Sequence, residues 1–379
     1  MGTDTGWPGG AVPEHGGESP LGWPGKDVPV DEPSAPPRHR RNWGRIALAS
    51  CLALLLLLAG SVVAVRVLVD RYDSSVGRES LLDPGAREGD YVDDPTLRLR
   101  AASLTGPLNY LLIGSDARWD SPEAGQRSDT IIILQMDREL EHAFLISIPR
   151  DLLVELPDYA KTGFAGGSGK INSAFDAGGG GADGVALLSK TLFALIGVKF
   201  DGAAVVQFSG FRKVIDIVGG VEICVDQPVR SIHTQKFFPV GCTRMNGADA
   251  LDYSRQRYDL PNGDYDRQRH QQQLLKALFR QATTAGIATN PLKLDQVIRQ
   301  IGGALIVDTG GTALADLVFS LRRIGPGDLT GIRLPSSAEN IAGTSYVVLR
   351  AEATSLFAAI RAGKLGSWAA AHPTWVNPI

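Results

Sequence analysis

Residues 143–151 read AFLISIPRD, an apolar run that ends directly in proline, arginine and aspartate. The apolar part, residues 143–148, has the length and composition of a buried strand. Pro149 cannot donate to a strand ladder, so it ends the strand and turns the chain. The sequence therefore places Arg150 and Asp151 at the end of a strand.

A second segment repeats this arrangement. Residues 109–113 predict a strand that runs directly into Gly114, Ser115 and Asp116. Further strand-like runs alternate with segments of helical periodicity, which predicts an α/β fold with helices on both faces of a central sheet. In such sheets ligands bind beyond the carboxyl ends of the strands. The other predicted strands are residues 130–134, 203–208, 221–225, 329–334 and 346–349, and the predicted helices are residues 182–196, 209–218, 247–256, 264–283, 292–305, 312–324 and 351–362.

Arginine lies beside aspartate in two further segments, residues 127–130 (RSDT) and the run from Arg255 to Arg269. A single Arg–Asp pair is ordinarily a surface ion pair worth under about 1 kcal/mol. Here the pairs recur, and two of them stand at predicted strand ends. If the fold brings the segments together, arginine forks bind phosphoryl oxygens while carboxylates hold a divalent cation that bridges the phosphates. We therefore expect a phosphate site.

The predicted helix at residues 264–283 begins with an unusual charge pattern. Asp264 and Asp266 open it, and Arg267, Arg269 and His270 follow in its first turns. Cations at a helix N-terminus oppose the helix dipole, so this placement costs stability unless an anion lies among them. A phosphate would satisfy both the arginines and the free N–H groups. A solvated, charged helix end is the alternative.

Residues 46–65 contain no charged side chain and are long enough to cross a hydrocarbon layer of about 30 Å. We expect a membrane span with the N-terminus in the cytoplasm, because cytoplasmic flanks carry the excess of arginine and lysine. A signal peptide cleaved near Ala59 is the alternative, which the long preceding segment and the length of the apolar run disfavour. The arginines before the span are Arg38, Arg40, Arg41 and Arg45, whereas Arg66 and Arg71 after it are offset by Asp70 and Asp73.

The span divides the chain into parts of different character. Residues 1–45, rich in Gly and Pro, predict a disordered cytoplasmic tail, with a docking motif for a cytoplasmic partner as the alternative. Residues 66–107 are a lead-in, residues 108–363 one extracytoplasmic domain, and residues 364–379 a C-terminal tail. The net charge of −3 argues against a nucleic-acid surface.

Cysteine usage agrees with export. Cys51 lies within the predicted span, which leaves Cys224 and Cys242 as a candidate disulfide, with two free buried thiols as the alternative. Without C-x-x-C spacing a zinc site is not expected.

Residues 166–171, GGSGKI, lack the first glycine and the Ser/Thr of a P-loop, and neither G-x-S-x-G nor H-E-x-x-H occurs. These absences disfavour nucleotide-binding, serine-hydrolase and zincin classes.

Several segments resemble the LytR-CpsA-Psr family in order and spacing, over about residues 108–363. That family's fold is a three-layer α-β-α sandwich around a central mixed sheet, with an apolar tunnel for a lipid. Helical residues 187–196 and 274–279 are candidate tunnel walls, with an ordinary core role as the alternative. The segments that carry the resemblance are NYLLIGSDAR (109–118), RSDTIIILQMD (127–137), FLISIPRDLLVELP (144–157), KINSAF (170–175) and residues 250–273.

The resemblance implies a magnesium-dependent phosphotransferase on the outer face of the membrane. It would move a glycopolymer from a polyprenyl-pyrophosphate carrier onto peptidoglycan, forming a phosphodiester at the 6-hydroxyl of N-acetylmuramic acid. By motif match, Asp116 and Asp129 would hold the metal. The implied catalytic residues are Arg150, Arg257, Arg267, Asp151 and Asp259, and the implied pyrophosphate ligands are Arg118, Lys170, Arg255 and Arg269.

One position departs from the family pattern R-x-x-R-Q. The chain has His270 where many members have the second arginine, and Arg269 is displaced by one residue. The sequence leaves open whether His270 binds phosphate or is a neutral hydrogen-bond partner. The general base is also open, with Asp259 and Asp266 as candidates.

A lipid pyrophosphate is a chemically sensible donor, because no ATP is available outside the membrane and the phosphoanhydride is already activated. Catalysis would then consist mostly of alignment and charge stabilisation. Two other functions remain open: a pyrophosphohydrolase that uses water as acceptor, and a non-catalytic envelope regulator or lipid-binding module. The sequence does not encode which glycopolymer is moved.

Overall fold

The structure is a computed structural model that describes residues 77–89, 105–115, 128–258, 260–287, 290–301, 305–310, 312, 317 and 323–379. Several predictions fall outside these residues. They include the tail at 1–45, the span at 46–65 and most of the helix at 312–324. Within the described part of the chain, no helix is both long and apolar enough to cross a membrane.

Strands and helices alternate along the described chain. The strands are β1 (Gly77–Arg78), β2 (Leu108–Ser115), β3 (Ser128–Met136), β4 (Ala143–Ser147), β5 (Leu153–Leu156), β6 (Gly167–Lys170), β7 (Gly202–Gln207), β8 (Val221–Val225), β9 (Val229–Arg230), β10 (Phe237–Phe238), β11 (Gly241–Met245), β12 (Leu305–Asp308), β13 (Leu329–Arg333), β14 (Ser336–Ile341), β15 (Thr344–Leu349) and β16 (Val376–Asn377). The helices are α1 (Ser173–Ala177), α2 (Gly181–Ile196), α3 (Phe208–Ile217), α4 (Gly247–Arg255), α5 (Asp264–Thr284), α6 (Pro291–Ile301), α7 (Glu352–Ala362) and α8 (Leu365–Ala371).

Eight strands form one mixed sheet in the order β1-β12-β7-β2-β3-β4-β13-β16. The central strands β2, β3 and β4 pair antiparallel, whereas β2 pairs parallel with β7 and β4 pairs parallel with β13. The remaining strands form the separate pairs β5/β6, β8/β11, β9/β10 and β14/β15.

Helices cover both faces of the sheet. Alternate residues of each strand point to opposite faces and so pack against different helices. On β2, Leu111 and Ile113 belong to the larger core, which also contains Leu188 of α2 and Leu356 of α7. Tyr110 belongs instead to a core on the other face, where Leu275 and Phe279 of α5 pack. The predicted α-β-α sandwich with a mixed sheet is therefore confirmed for the described residues.

A further core lies beside the sandwich. It joins Ile215 of α3, Ile223 of β8, Tyr253 of α4 and Leu274 of α5. Helix α5 thus packs on both the sheet and this side core. As a result, its N-terminal turn is held against the ends of the central strands.

Two secondary-structure predictions were wrong in part. The helix predicted at 292–305 ends at Ile301, and Leu305 begins β12, which pairs antiparallel with β7. The strand predicted at 346–349 is only the last four residues of β15, which begins at Thr344 and belongs to the hairpin β14/β15. Strand β14 reads SSAENI and is exposed along most of its length, so it carries no apolar alternation that the sequence could reveal.

Cys224 and Cys242 form a disulfide, the first of the two alternatives that the sequence left open. The two residues face each other directly in the antiparallel pair β8/β11. The disulfide closes a loop with a sequence separation of 18 residues.

Removing this disulfide is expected to lower the free energy of unfolding by about 3 kcal/mol, because the unfolded chain regains the entropy of the open loop. The double variant Cys224→Ser/Cys242→Ser and the wild-type protein would be compared by urea unfolding, with and without reductant. Reductant should weaken only the wild-type protein. Equal stability of the two proteins without reductant would contradict the prediction.

Candidate active site

Asp129 is the point where three distant segments of the chain meet. It lies at the start of β3, whereas Arg150 follows β4 and Arg267 lies in the first turn of α5. Arg150 donates from Nη1 to Asp129 Oδ1 at 2.5 Å. Arg267 donates from Nη2 to the backbone oxygen of Asp129 at 3.1 Å. The structure thus brings together Asp129, Arg150 and Arg267 as the sequence predicted.

These residues line a cavity of about 300 Å³, called here the cationic cavity. Four of its lining side chains are arginines and one is a carboxylate, so the cavity is suited to a multiply charged anion. The predicted site residues Arg255 and Arg257 belong to it. The full lining is Asp129, Thr130, Arg150, Phe208, Ile232, His233, Arg255, Arg257, Tyr258, Arg267 and Gln271.

Arg267 is the most deeply placed of these cations, with an exposed fraction of 6%. Burial lowers its pKa, and the neighbouring cations Arg150 and Arg257 act in the same direction. Asp264, whose Oδ1 lies 2.7 Å from Arg267 Nη2, opposes that effect. Among the residues that the structure describes, the buried Nε atoms of Arg267 and Arg150 find no hydrogen-bond partner. Buried donors of this kind are costly unless a ligand satisfies them, and phosphoryl oxygens suit them.

Arg150 differs electrostatically from Arg267. Burial acts to lower the pKa of Arg150, but its hydrogen bond to Asp129 and the charges of Asp129, Asp264 and Asp151 outweigh it, so the pKa is raised. Arg150 is therefore held in the charged state at the end of β4. Its position also orients the Asp129 carboxylate.

The two remaining arginines rest on aromatic rings. The guanidinium carbon of Arg255 lies 4.9 Å from the ring centroid of Phe208. That of Arg257 lies 4.8 Å from the ring centroid of Tyr258, and Arg257 Nη2 donates to Tyr258 Oη at 2.7 Å. Cation–π contacts of this kind restrict where the guanidinium forks point.

An apolar pocket of about 110 Å³ adjoins the cationic cavity. The two share Thr130, Phe208, Arg255 and Gln271. Of the helices considered as tunnel walls, only α5 contributes, whereas residues 187–196 belong to the core on the opposite face. The other lining residues are Leu112, Ile113, Gly114, Ile132, Val206, Phe211, Leu251, Ser254, Leu274 and Leu275.

A third cavity of about 520 Å³, called here the polar cavity, adjoins the cationic cavity through Arg150 and Arg257, which line both. Lys170 lines this cavity and not the cationic one, and its Nζ lies 2.8 Å from Asp151 Oδ1. Asp151 lines the polar cavity too. The sequence therefore predicted the neighbourhood of these two residues, but Lys170 shares a cavity with only two of the four arginines, Arg150 and Arg257. The remaining lining residues are Asn172, Ser173, Asp176 and Tyr346.

Arg269 and His270 point away from the cationic cavity, which corrects the prediction for Arg269. Its guanidinium pairs with Asp226 and, at 3.2 Å, with Asp266. His270 is fully buried and stacks on Tyr253 with ring centroids 4.3 Å apart. The helical period explains this, because one turn after Arg267 comes Gln271, and Gln271 lines the cavity. Sequence reasoning missed Gln271, although its spacing from Arg267 was a usable signal.

Asp266 is not placed to act as a general base. It is buried, and it accepts hydrogen bonds from the backbone N of Asn262 at 2.9 Å and from Arg269. These contacts tie it to the start of α5. The other candidate, Asp259, lies outside the described residues, as do Asp116 and Arg118.

His270 makes the protein sensitive to mild acid. Burial, reinforced by the charge of Arg269, lowers the pKa of His270 from 6.5 to about 3. His270 is therefore protonated near pH 6.5 in the unfolded chain but only near pH 3 in the folded protein. Between these two values the unfolded chain binds more protons, so the free energy of unfolding falls as the pH drops below 6.5.

Lowering the pH from 7 to 5 is expected to cost about 2 kcal/mol of unfolding free energy through His270 alone. His270→Gln should lose less stability over the same interval than the wild-type protein does, as measured by urea unfolding at the two pH values. The surface variant His142→Gln serves as a comparison, since that ring is exposed beside Asp137. Parallel pH dependence in the wild-type protein and His270→Gln would contradict this account.

Asp129 has the chemistry expected of a magnesium ligand. Within the described residues, no three His, Cys, Asp or Glu side chains cluster closely enough to hold a metal ion on their own. Magnesium in phosphate-binding sites usually keeps several waters and takes only one or two carboxylates together with substrate phosphates. Asp129 beside a cationic cavity fits that requirement, with Asp116 as the expected second carboxylate.

The family model described as LytR_cpsA_psr matches residues 86–361. The chain is 29% identical over 266 residues to the cell wall biosynthesis protein LcpA of Corynebacterium glutamicum, covering 61% of this chain and 50% of LcpA. It is 32% identical over 285 residues to the probable cell wall biosynthesis protein LcpB of the same organism, covering 71% of this chain and 64% of LcpB. The chain thus spans only half to two thirds of the length of these relatives.

The fold is similar to that of TagT bound to LI-WTA. The TM-score is 0.54 at 21% sequence identity, and the likeness covers 73% of this chain and 97% of TagT. At this level of identity the likeness concerns the fold.

Proposed function

The chain belongs to the LytR-CpsA-Psr family, and from this we propose that it transfers a cell-wall glycopolymer from a polyprenyl-pyrophosphate carrier to peptidoglycan through a phosphodiester link. One observation carries the proposal: a cavity lined by four arginines opens directly onto an apolar pocket. The names of related proteins agree with it, since LcpA is a cell wall biosynthesis protein and TagT was solved bound to LI-WTA.

The paired cavities match the two ends of such a donor. A polyprenyl pyrophosphate carries two phosphates at the end of an apolar chain. Arg150, Arg255, Arg257 and Arg267 would bind the phosphates, while the apolar pocket takes the adjoining part of the lipid. Arg255 lines both spaces, so it lies where the lipid meets its first phosphate.

In the proposed reaction an acceptor hydroxyl oxygen attacks the phosphorus on the sugar side of the pyrophosphate. A new P–O bond forms as the bond to the bridging oxygen breaks, and the bridging oxygen leaves as part of the polyprenyl monophosphate. The hydroxyl proton is released to solvent through the open cavity. Arg150 and Arg267 neutralise the charge that develops on the phosphoryl oxygens and the leaving phosphate. Magnesium held by Asp129 and Asp116 would supply further charge neutralisation.

We also propose the location and partners that this chemistry requires. The uncharged residues 46–65 and the arginines before them support a single membrane span with the catalytic domain outside. The Cys224–Cys242 disulfide is consistent with an oxidising compartment. Peptidoglycan would supply the acceptor, through the 6-hydroxyl of N-acetylmuramic acid.

The test is to incubate the purified full-length chain with a lipid-linked glycan, peptidoglycan fragments and magnesium, and to identify the products by mass spectrometry. A glycan joined to a muropeptide by a phosphodiester, together with polyprenyl monophosphate, is the expected result. Free glycan phosphate formed at the same rate with and without acceptor would favour a pyrophosphohydrolase. Lipid binding without turnover would favour a binding module.

A further inference from the structure

The three cavities lie in series. The cationic cavity shares four residues with the apolar pocket and shares Arg150 and Arg257 with the polar cavity. The apolar pocket and the polar cavity share none. A ligand with its lipid in the apolar pocket and its phosphates among the arginines therefore reaches the polar cavity through the cationic cavity.

This order has a chemical consequence. In phosphoryl transfer, the attacking and leaving oxygens lie roughly in line on opposite sides of the phosphorus. The leaving group here is the lipid phosphate, which lies toward the apolar pocket. The attacking hydroxyl must then arrive from the side away from the apolar pocket, and the polar cavity adjoins the cationic cavity without sharing any residue with that pocket.

The lining of the polar cavity differs from that of the cationic cavity. Its own cation, Lys170, is paired with Asp151 at 2.8 Å, and Asp176 adds a second carboxylate. With Arg150 and Arg257, which it shares with the cationic cavity, its lining carries three cations and two carboxylates. The excess of positive charge is smaller than in the cationic cavity, so the polar cavity is less suited to a phosphate. Tyr346 instead offers a half-buried aromatic ring, and Asn172 offers an amide that can both donate and accept hydrogen bonds. A flat apolar surface with polar groups around it suits a sugar ring that carries hydroxyl and acetamido groups.

Local structure holds these side chains in place. Tyr346 lies on β15, and the next residue, Val347, donates its backbone N–H to the carbonyl oxygen of Asp151 at 2.9 Å. The hairpin β14/β15 is thereby fixed to the segment that carries Arg150. Asn172 donates its backbone N–H to the carbonyl oxygen of Arg150 at 3.1 Å, and its side chain makes no capping bond to α1. The Asn172 amide is therefore not used by its own helix.

We propose that the polar cavity binds the acceptor saccharide of peptidoglycan. Tyr346 packs against one face of the sugar ring, Asn172 and Asp176 bind its polar substituents, and Asp151 accepts a hydrogen bond from the attacking hydroxyl. The hydroxyl is thus directed at the phosphorus held by Arg150 and Arg257. This inference rests on the proposed function and adds to it the residues that select the acceptor.

A saccharide in this cavity has two conceivable sources, the acceptor and the donor's own glycan. The in-line argument favours the acceptor, because the cavity lies on the side from which attack must come. The two sources differ in kinetics. Loss of an acceptor contact raises the KM for the muropeptide, whereas loss of a donor contact raises the KM for the lipid-linked glycan.

The decisive variant is Tyr346→Ala in the full-length chain, assayed with a lipid-linked glycan donor and a disaccharide-peptide acceptor. Loss of the ring contact is expected to raise the KM for the acceptor about tenfold. The KM for the donor should stay near the wild-type value. Tyr346→Phe keeps the ring and should behave much like the wild-type protein. The matched control is Phe237→Ala, which removes an exposed aromatic side chain outside all three cavities.

A second measurement does not depend on turnover. Saturation-transfer NMR with the disaccharide-peptide alone should show weaker binding to Tyr346→Ala than to the wild-type chain, and circular dichroism would establish that the variant is folded. A raised KM for the donor, or unchanged acceptor binding and KM, would overturn the inference. If the wild-type chain transferred no glycan, the proposed function would fail, while the binding comparison would still decide whether a saccharide occupies this cavity.

Discussion

Replacing Arg267 with alanine is expected to lower the rate of glycopolymer transfer by about a thousandfold, as loss of a phosphate-binding arginine does in phosphoryl transfer. The guanidinium is buried, contacts the backbone of Asp129 and lies beside Asp264. Its charge is therefore weakly screened by solvent where negative charge develops on the phosphates. The measurement is the rate of muropeptide modification with saturating donor and acceptor.

Arg267→Ala also leaves Asp264 without its partner, so a folding defect must be separated from a catalytic one. Arg267→Lys keeps the positive charge but loses the two-pronged geometry, and it should still reduce the rate by about a hundredfold. Arg280→Ala is the matched control on the same helix, since Arg280 forms an exposed pair with Glu222 at 2.9 Å. Full activity of a folded Arg267→Lys protein would rule out a role for the fork of Arg267 in the reaction.

The central sheet could be predicted because its strands are buried on both faces and so appear as continuous apolar runs. Strand β4, with all five residues buried, is an example. Helix α2 ends at Ile196, as predicted, and the next residue, Gly197, adopts the left-handed conformation with φ of 76°. The hairpins β5/β6 and β14/β15 could not be predicted, since GSGK and SSAENI have neither apolar alternation nor strand propensity. Their pairing depends on tertiary contacts.

The site residues could be predicted where two conditions were met: the residue is an arginine or aspartate, and it stands at the end of a predicted strand. Arg150 met both conditions, and the structure joins it by a hydrogen bond to Asp129 at the start of β3. Arg269 met only the first condition. Its position on α5, two residues after Arg267, directs its side chain toward Asp226 and Asp266. Tyr346 lies about 200 residues further along the chain than Arg150, so no local pattern could connect them, and only the docking of β14/β15 does so.

Asp129→Asn is expected to lower the transfer rate by about a hundredfold or more, because an amide of the same shape removes the negative charge at the centre of the site. The carboxylate accepts from Arg150 at 2.5 Å and is the predicted magnesium ligand among the described residues. Loss of its charge should therefore disturb the orientation of Arg150 and weaken metal binding together. The transfer rate would be measured as a function of magnesium concentration.

A metal-binding readout separates these two roles. Manganese binding in the presence of donor, followed by electron paramagnetic resonance, should be weaker in Asp129→Asn than in the wild-type chain. The control Asp158→Asn alters an aspartate whose side chain is 77% exposed and lies 3.9 Å from Lys190, so it should change neither measurement. Weaker manganese binding with a rate restored by high magnesium would assign Asp129 chiefly to the metal. Unchanged manganese binding with a reduced rate would assign it to the orientation of Arg150, and an unchanged rate would exclude it from the active site.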